Sequence, residues 1–135
     1  GKAQPSIMVE HTILYIEDNP ANLRLVTQIL AQRKHIQLLT AHTSEIGIEL
    51  ASMHRPELIL LDINMPGLDG YQVLEIFKAD PDLKHIPVVA VTANAMLSDI
   101  ERGKAAGFTD YVTKPVEVVK FLGIVDRCLN IERLD

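Results

Sequence analysis

Residues 58–70 read LILLDINMPGLDG, and the fold turns on how this stretch is understood. A wholly apolar run, residues 58–61, stops on Asp62 and is followed at once by Asn64, Pro66, Gly67, Asp69 and Gly70. Four apolar residues bounded by turn formers describe a strand buried on both faces, the kind found in parallel sheets. Asp62 then sits where a buried strand runs out, and in open α/β sheets that rim is where sites are built. Alone, Asp62 is read equally well as a turn-capping aspartate. The other strand ends decide between the two.

Upstream, HTILYIE (11–17) is a β-rich run ending on the adjacent acids Glu17 and Asp18. Asn19-Pro20 suit an N-cap and first helical turn, and Leu23, Val26, Ile29 and Leu30 recur at helical spacing, which predicts a helix over 20–33. IQLLTA (36–41) reads as a second strand. Thr43 or Ser44 opens a second helix carrying Ile46, Ile48, Leu50 and Met53, stopped at His54-Arg55-Pro56. Downstream, Asp69-Gly70 starts a helix that Asp80-Pro81 breaks. PVVAVT (87–92) is an apolar run ending on a hydroxyl. Ser98 with Glu101 reads as a capping box for a short helix closed by Gly107. FTDYVT (108–113) is a fifth strand ending at Lys114-Pro115, and a last helix runs over 117–129.

Strands alternating with helices across short loops specify an α/β fold whose parallel sheet is covered on both faces. Right-handed crossovers leave few topologies. The expected one is a flavodoxin-like (βα)5 doubly wound sandwich with strand order 2-1-3-4-5. One domain is expected over 11–131, with 1–10 an N-terminal tail or cloning remnant and 132–135 a C-terminal tail. A content of 47% hydrophobic and 23% charged residues argues against disorder. The net charge of −5 removes the basic footprint of a nucleic-acid binder. No apolar run is long enough to span a bilayer and no signal peptide opens the chain. The single Cys128 excludes an internal disulfide and fits a cytoplasmic setting. The five histidines are scattered and read as surface or capping residues.

In a parallel sheet all strand C-termini share one edge. Glu17 and Asp18, Asp62, Thr92 and Lys114 would meet there, while the second strand ends on Ala41 and brings nothing. Three carboxylates at close quarters repel. Lys114 offsets one charge, and a hard divalent cation would offset the remainder. Mg2+ is the natural choice, held by carboxylates and phosphate oxygens, with no thiolate or paired histidines to point to zinc. A carboxylate beside such an ion, a lysine and a hydroxyl suits phosphoryl transfer, with Asp62 attacking in line to become an acyl phosphate.

Over residues 12–129 the chain resembles a response-regulator receiver domain, the phosphoacceptor half of two-component signalling. The resemblance is carried by LYIEDNP, LLDINMPGLDG, VTANA and DYVTKP, and LYIEDNPANLRLV is similar to receivers fused to hybrid histidine kinases. It implies that Asp62 is the phosphorylation site and that Glu17, Asp18 and Asp62 bind Mg2+, with Mn2+ able to substitute. It implies that Asn64 gives its backbone carbonyl to the metal and that Thr92 and Lys114 hold phosphoryl oxygens. Tyr111 falls at the aromatic switch position, Asn64 and Asn94 beside the site bear on the lifetime of the phosphoryl group, and Lys114-Pro115 is expected to be cis. Many relatives carry Asp in place of Glu17, whose extra methylene allows either direct or water-mediated ligation.

The implied function is a switch, phosphorylated by a sensor histidine kinase or a histidine phosphotransfer protein. It would change the binding of a downstream protein at the face of the fourth helix, fifth strand and fifth helix, and self-association as a homodimer is left open. Two other readings stand beside it. In a phosphatase Asp62 would be a turnover nucleophile, but those enzymes usually place a second Asp where Asn64 stands. In an unphosphorylated docking module the acidic pair, Asp62, Thr92 and Lys114 would have no purpose.

Overall fold

The computed structural model describes residues 10–93 and 96–131. The elements are β1 His11–Ile16, α1 Pro20–Leu30, β2 Ile36–Ala41, α2 Ser44–His54, β3 Leu58–Asp62, α3 Gly70–Ala79, β4 Val88–Thr92, α4 Leu97–Ala106, β5 Asp110–Thr113 and α5 Val118–Leu129. All strand pairs are parallel and the sheet order is β2-β1-β3-β4-β5, as the alternation of elements predicts. One apolar layer, including Leu14, Ile16, Ile59, Leu61, Leu74 and Phe77, lies on one side of the sheet. The other, including Ile13, Tyr15, Leu58, Leu60, Phe121 and Val125, lies on the opposite side. Neighbouring strand residues alternate between the two layers, so β3 and β4 are buried along their whole length, as the apolar run 58–61 implies.

Local chemistry sets most boundaries. Asn19 caps α1 by accepting from the backbone N–H groups of Ala21 and Asn22. Thr43 caps α2, and Asp69 with Gln72 forms a reciprocal capping box on α3. Three expectations need correction. Helix α1 ends at Leu30, not 33, because the chain turns at 31–35 toward β2. The Ser98–Glu101 capping box does not form: α4 already begins at Leu97, so Ser98 lies inside the first turn and Met96, with no oxygen to offer, takes the cap position. Helix α2 turns only some of its large apolar residues inward: Ile48 and Leu50 pack partly buried against the core. Ile46 and Met53 are exposed, and the inward stripe is Ser44, Gly47 and Ala51. A methyl group on Gly47 would lie 2.4 Å from Ile16 Cδ1, so the close approach of α2 to β1 requires small residues there.

Candidate functional site

The register of the sheet assembles the site. Ile16 pairs with Leu61, so the next residue of each strand, Glu17 and Asp62, emerges side by side. Asp62 pairs with Val91, and Thr92 pairs with Thr113. Thr92 and Lys114 therefore follow one step further along, tied by a 2.8 Å hydrogen bond from the Lys114 N–H to the Thr92 carbonyl. Lys114-Pro115 is a cis peptide bond, as expected.

Asp62 is 4% exposed. One carboxylate oxygen accepts the backbone N–H of Asn64 at 2.9 Å, and the other accepts Lys114 Nζ at 3.1 Å. The same ammonium reaches Glu17 Oε1 at 3.0 Å. Glu17 is fully buried, and Oε1 also accepts the Tyr15 hydroxyl at 2.8 Å and Asn22 Nδ2 at 3.3 Å, while Oε2 accepts the Asn19 N–H at 3.2 Å. Asp18 is exposed and completes the group: carboxylate oxygens of Glu17, Asp18 and Asp62 lie within 4.8 Å of one another. Burial works against the charge on Lys114, but hydrogen bonds to Glu17 and Asp62 outweigh it and raise its pKa, so it is a permanent cation. One lysine against three carboxylates leaves an excess of negative charge facing solvent. An all-oxygen donor set of that charge fits a hard divalent cation.

Thr92 is buried, and its Oγ1 donates to Asn64 Oδ1 at 3.2 Å across the mouth of the site. Tyr111 is not at the acidic cluster. Its ring is buried against α4, its hydroxyl donates to the Asp99 carbonyl at 2.9 Å and stands 3.3 Å from the Tyr71 hydroxyl. A cavity of about 240 Å3 joins the two regions, lined by Asn64, Asp69, Tyr71, Thr92, Asp99 and Arg102 among others. The structure thus gathers Glu17, Asp18, Asp62 and Lys114 in one cluster, sets Thr92 and Asn64 on its rim, and holds Tyr111 beyond the cavity. Asn94 lies outside the described residues.

Sequence reasoning missed Tyr15, Asn22, Tyr71 and Arg102. Tyr15 had a signal: it stands two residues before Glu17 on a strand, hence on the same face. Burial and then the hydrogen bond to Glu17 push its phenol far above the usual range, so it remains a donor. Asn22 also had one, lying in the first turn of the helix that the acidic pair precedes. Tyr71 and Arg102 belong to different helices, and no local pattern connects them. Among the described residues no histidine belongs to the acidic cluster. His11 pairs with Glu57 at 2.5 Å near the opposite edge of the sheet. Cys128 packs half-buried on the α5 side of the core, as a packing residue should, and burial pushes its thiol up.

A family model described as the response regulator receiver domain matches residues 13–126. The polar-differentiation response regulator DivK of Brucella anthropi is 38% identical over 119 residues, covering 88% of this chain and 96% of that protein. Among solved structures, the receiver domain of a sensor histidine kinase from Pseudomonas aeruginosa, with a magnesium ion coordinated in its active-site cleft, superposes with a TM-score of 0.81 at 29% identity, covering 90% of this chain and 98% of its own. The Mn2+-bound form of the response regulator Rcp1 gives a TM-score of 0.78 at 30% identity, covering 93% and 99%.

Proposed function

The chain belongs to the response regulator receiver domain family, and from that premise we propose that it is a switch whose phosphoacceptor is Asp62. The observation that carries this is the pairing of one buried carboxylate with a partly buried lysine beside two further acids. An Asp62 oxygen attacks the phosphorus of a phosphohistidine on a sensor kinase or phosphotransfer protein. The new bond is Asp62 O–P, the bond broken is P–N, and the electron pair leaves with the imidazole. Lys114 sits on the other Asp62 oxygen, where it neutralises charge that builds on the phosphoryl group. The Thr92 hydroxyl turns from Asn64 to a phosphoryl oxygen.

Asp18 and Asp62 are the residues that would hold Mg2+, with the backbone carbonyl of Asn64. Glu17 contributes least directly, because its oxygens already accept four donors. Bound there, the ion supplies charge neutralisation for the transferring group, and Mn2+ would serve as well. The relatives solved with Mg2+ and with Mn2+ support this reading. The protein is not a conventional enzyme: it promotes its own phosphorylation and a slow hydrolysis of the acyl phosphate.

Phosphorylation adds about two negative charges. Thr92 moves toward them, Tyr111, already turned inward, closes on the room released, and the face of α4, β5 and α5 changes its affinity for a downstream protein. Among the described residues no helix is long and apolar enough to cross a membrane, and we assign the switch to the cytoplasm. Incubation with acetyl phosphate tests the acceptor by intact mass. One phosphoryl group should appear with Mg2+, vanish without it, and be absent from Asp62→Asn. Single-site labelling that persists in Asp62→Asn overturns the assignment. If no adduct survives, the phosphoryl mimic beryllofluoride replaces the donor, and failure of that to bind overturns the acceptor reading.

A further inference from the structure

Among its described side chains, helix α4 meets the rest of the protein through Ile100, packed against the core, and through contacts with two tyrosines. Tyr111 of β5 lies against Gly103: a Cβ there would stand 2.1 Å from the Tyr111 hydroxyl. That hydroxyl has one proton, and it goes to the Asp99 carbonyl. The contact at 3.3 Å between the two phenols must then run the other way, with Tyr71 donating and Tyr111 accepting. Tyr71 has two more contacts. Its ring meets Phe108 edge-on at 5.7 Å between centroids, and the Arg102 guanidinium lies over its face at 4.1 Å. Among the described residues Arg102 has no hydrogen bond or ion pair, so the ring face is what holds it.

Tyr71 is also joined to the acceptor. Gly70, its neighbour, leaves so little room that a Cβ would lie 2.5 Å from Ile63 Cγ2, and Ile63 follows Asp62 directly. The first turn of α3 is seated on the loop leaving the phosphoacceptor, and the Asp69 capping box fixes that turn. A shift of residues 62–64 has no slack to absorb it before Tyr71. Burial pushes the Tyr111 phenol above its usual range, which keeps Tyr111 available as donor to α4.

We propose that Tyr71 is a positioning residue of the switch: its hydroxyl holds Tyr111 inward, and its ring holds α4 through Arg102, so that α4 senses the acceptor loop through α3 as well as through Thr92. The inference rests on the acceptor reading of Asp62. By that reading an inward Tyr111 accompanies the phosphoryl-bound state, so Tyr71 favours that state before any phosphoryl group arrives. Linkage then requires that removing the Tyr71 hydroxyl weaken phosphoryl binding.

The experiment is a calorimetric titration with beryllofluoride in Mg2+ of the wild type, Tyr71→Phe, Tyr111→Phe and the double variant, with hydrogen exchange of the same four proteins. Tyr71→Phe keeps the ring and its packing and removes one hydrogen bond. We expect affinity to fall about three- to tenfold, as the loss of one neutral hydrogen bond allows. The double variant should lose little beyond Tyr111→Phe, because the two hydroxyls act as one unit. Amide exchange should rise in α4 and stay unchanged in α5. Unchanged affinity in Tyr71→Phe, fully additive losses, or exchange that rises equally in both helices each overturn the proposal. If the wild type binds no beryllofluoride, or Asp62→Asn binds it equally well, it is the acceptor reading that falls. The exchange arm then decides by itself whether Tyr71 fastens α4.

Discussion

Helices α4 and α5 flank the same last strand and are held in opposite ways. Helix α5 buries Phe121, Leu122, Val125, Asp126 and Leu129, a stripe recurring every three to four residues. Arg33, in the turn after α1, grips Asp126 through two hydrogen bonds of 2.9 and 2.8 Å. Helix α4 buries only Gly103 among its described side-chain positions, has Ile100 half-covered, and starts on a residue with no side-chain cap. Among its described side chains, what fixes it is the partly buried Ile100, the Tyr111 hydroxyl on the Asp99 carbonyl and Arg102 on the Tyr71 ring. Each large buried side chain contributes about 2 kcal/mol, and each of those polar contacts about 1 kcal/mol. The difference teaches where the molecule is able to move. Elements that change position in a switch are drawn from the weakly held end of a structure. Here that end is α4, beside the cavity that opens on Thr92.

The largest effect should come from truncating the anchored helix. Phe121 is 1% exposed, and Phe121→Ala should cost about 3–5 kcal/mol in urea denaturation, against about 1 kcal/mol for Ile100→Ala in α4. Equal costs would erase the contrast between the helices. The next largest concerns the clamp. Arg33→Ala leaves the carboxylate of Asp126, 4% exposed, without its fork. Because Arg33 is itself partly solvated, the loss should be near 2 kcal/mol, the lower side of what broken buried pairs cost. The sharper test is location: hydrogen exchange should rise along α1 and α5 and leave α4 as it was.

A smaller stability effect with a larger structural one is expected at Gly103. Alanine suits a helix interior better than glycine by about 1 kcal/mol. The added methyl, however, occupies the place of the Tyr111 hydroxyl. Net stability should change by less than about 1 kcal/mol, because a phenol at the end of one side chain is able to rotate away. Spectrophotometric titration should then show the Tyr111 phenol falling toward its ordinary value as it leaves its buried position, while Tyr15 stays high. A Tyr111 that stays buried at a cost of several kcal/mol would mean that α4 is pinned, not poised.

How much of this was legible in the sequence follows the same division. The sheet and its order were legible, because strands buried on both faces leave unbroken apolar runs and their parallel register forces Glu17, Asp62, Thr92 and Lys114 to one edge. The stripe of α5 was legible in part: Leu122, Val125 and Leu129 are buried as their spacing implies, whereas Val118 and Val119, read with them, are exposed and Phe121 takes the inward place. Helix α2 was only half legible: periodicity points to its large residues, whereas steric closeness to Ile16 selects Gly47 for the inside, where Ser44 and Ala51 are buried with it. The contacts of α4 were not legible, because Tyr71, Arg102 and Tyr111 act across three separate elements. The capping box expected at Ser98 failed by a shift of two residues at the helix start. A pattern of four residues does not encode where a weakly packed helix begins.

That failed cap gives the smallest effect and the most direct test of why α4 is loose. Met96 is 64% exposed and extended, with φ −66° and ψ 144°, the backbone of an N-cap without the side chain of one. The Asp99 N–H already donates to the Met96 carbonyl at 2.9 Å, so Met96→Ser supplies a side-chain oxygen for the Ser98 N–H without adding charge next to Asp99. It should stabilise the helix by about 0.5–1 kcal/mol. Exchange across the first turn of α4 should slow severalfold, with α5 unchanged. Two causes of looseness are then separable. If exchange slows only in the first turn, the cap was a local defect, and the poor burial of the helix still sets its mobility. If it slows through Gly107, the missing cap governs the whole helix. A single surface residue far from Asp62 would then tune how readily the switch face rearranges.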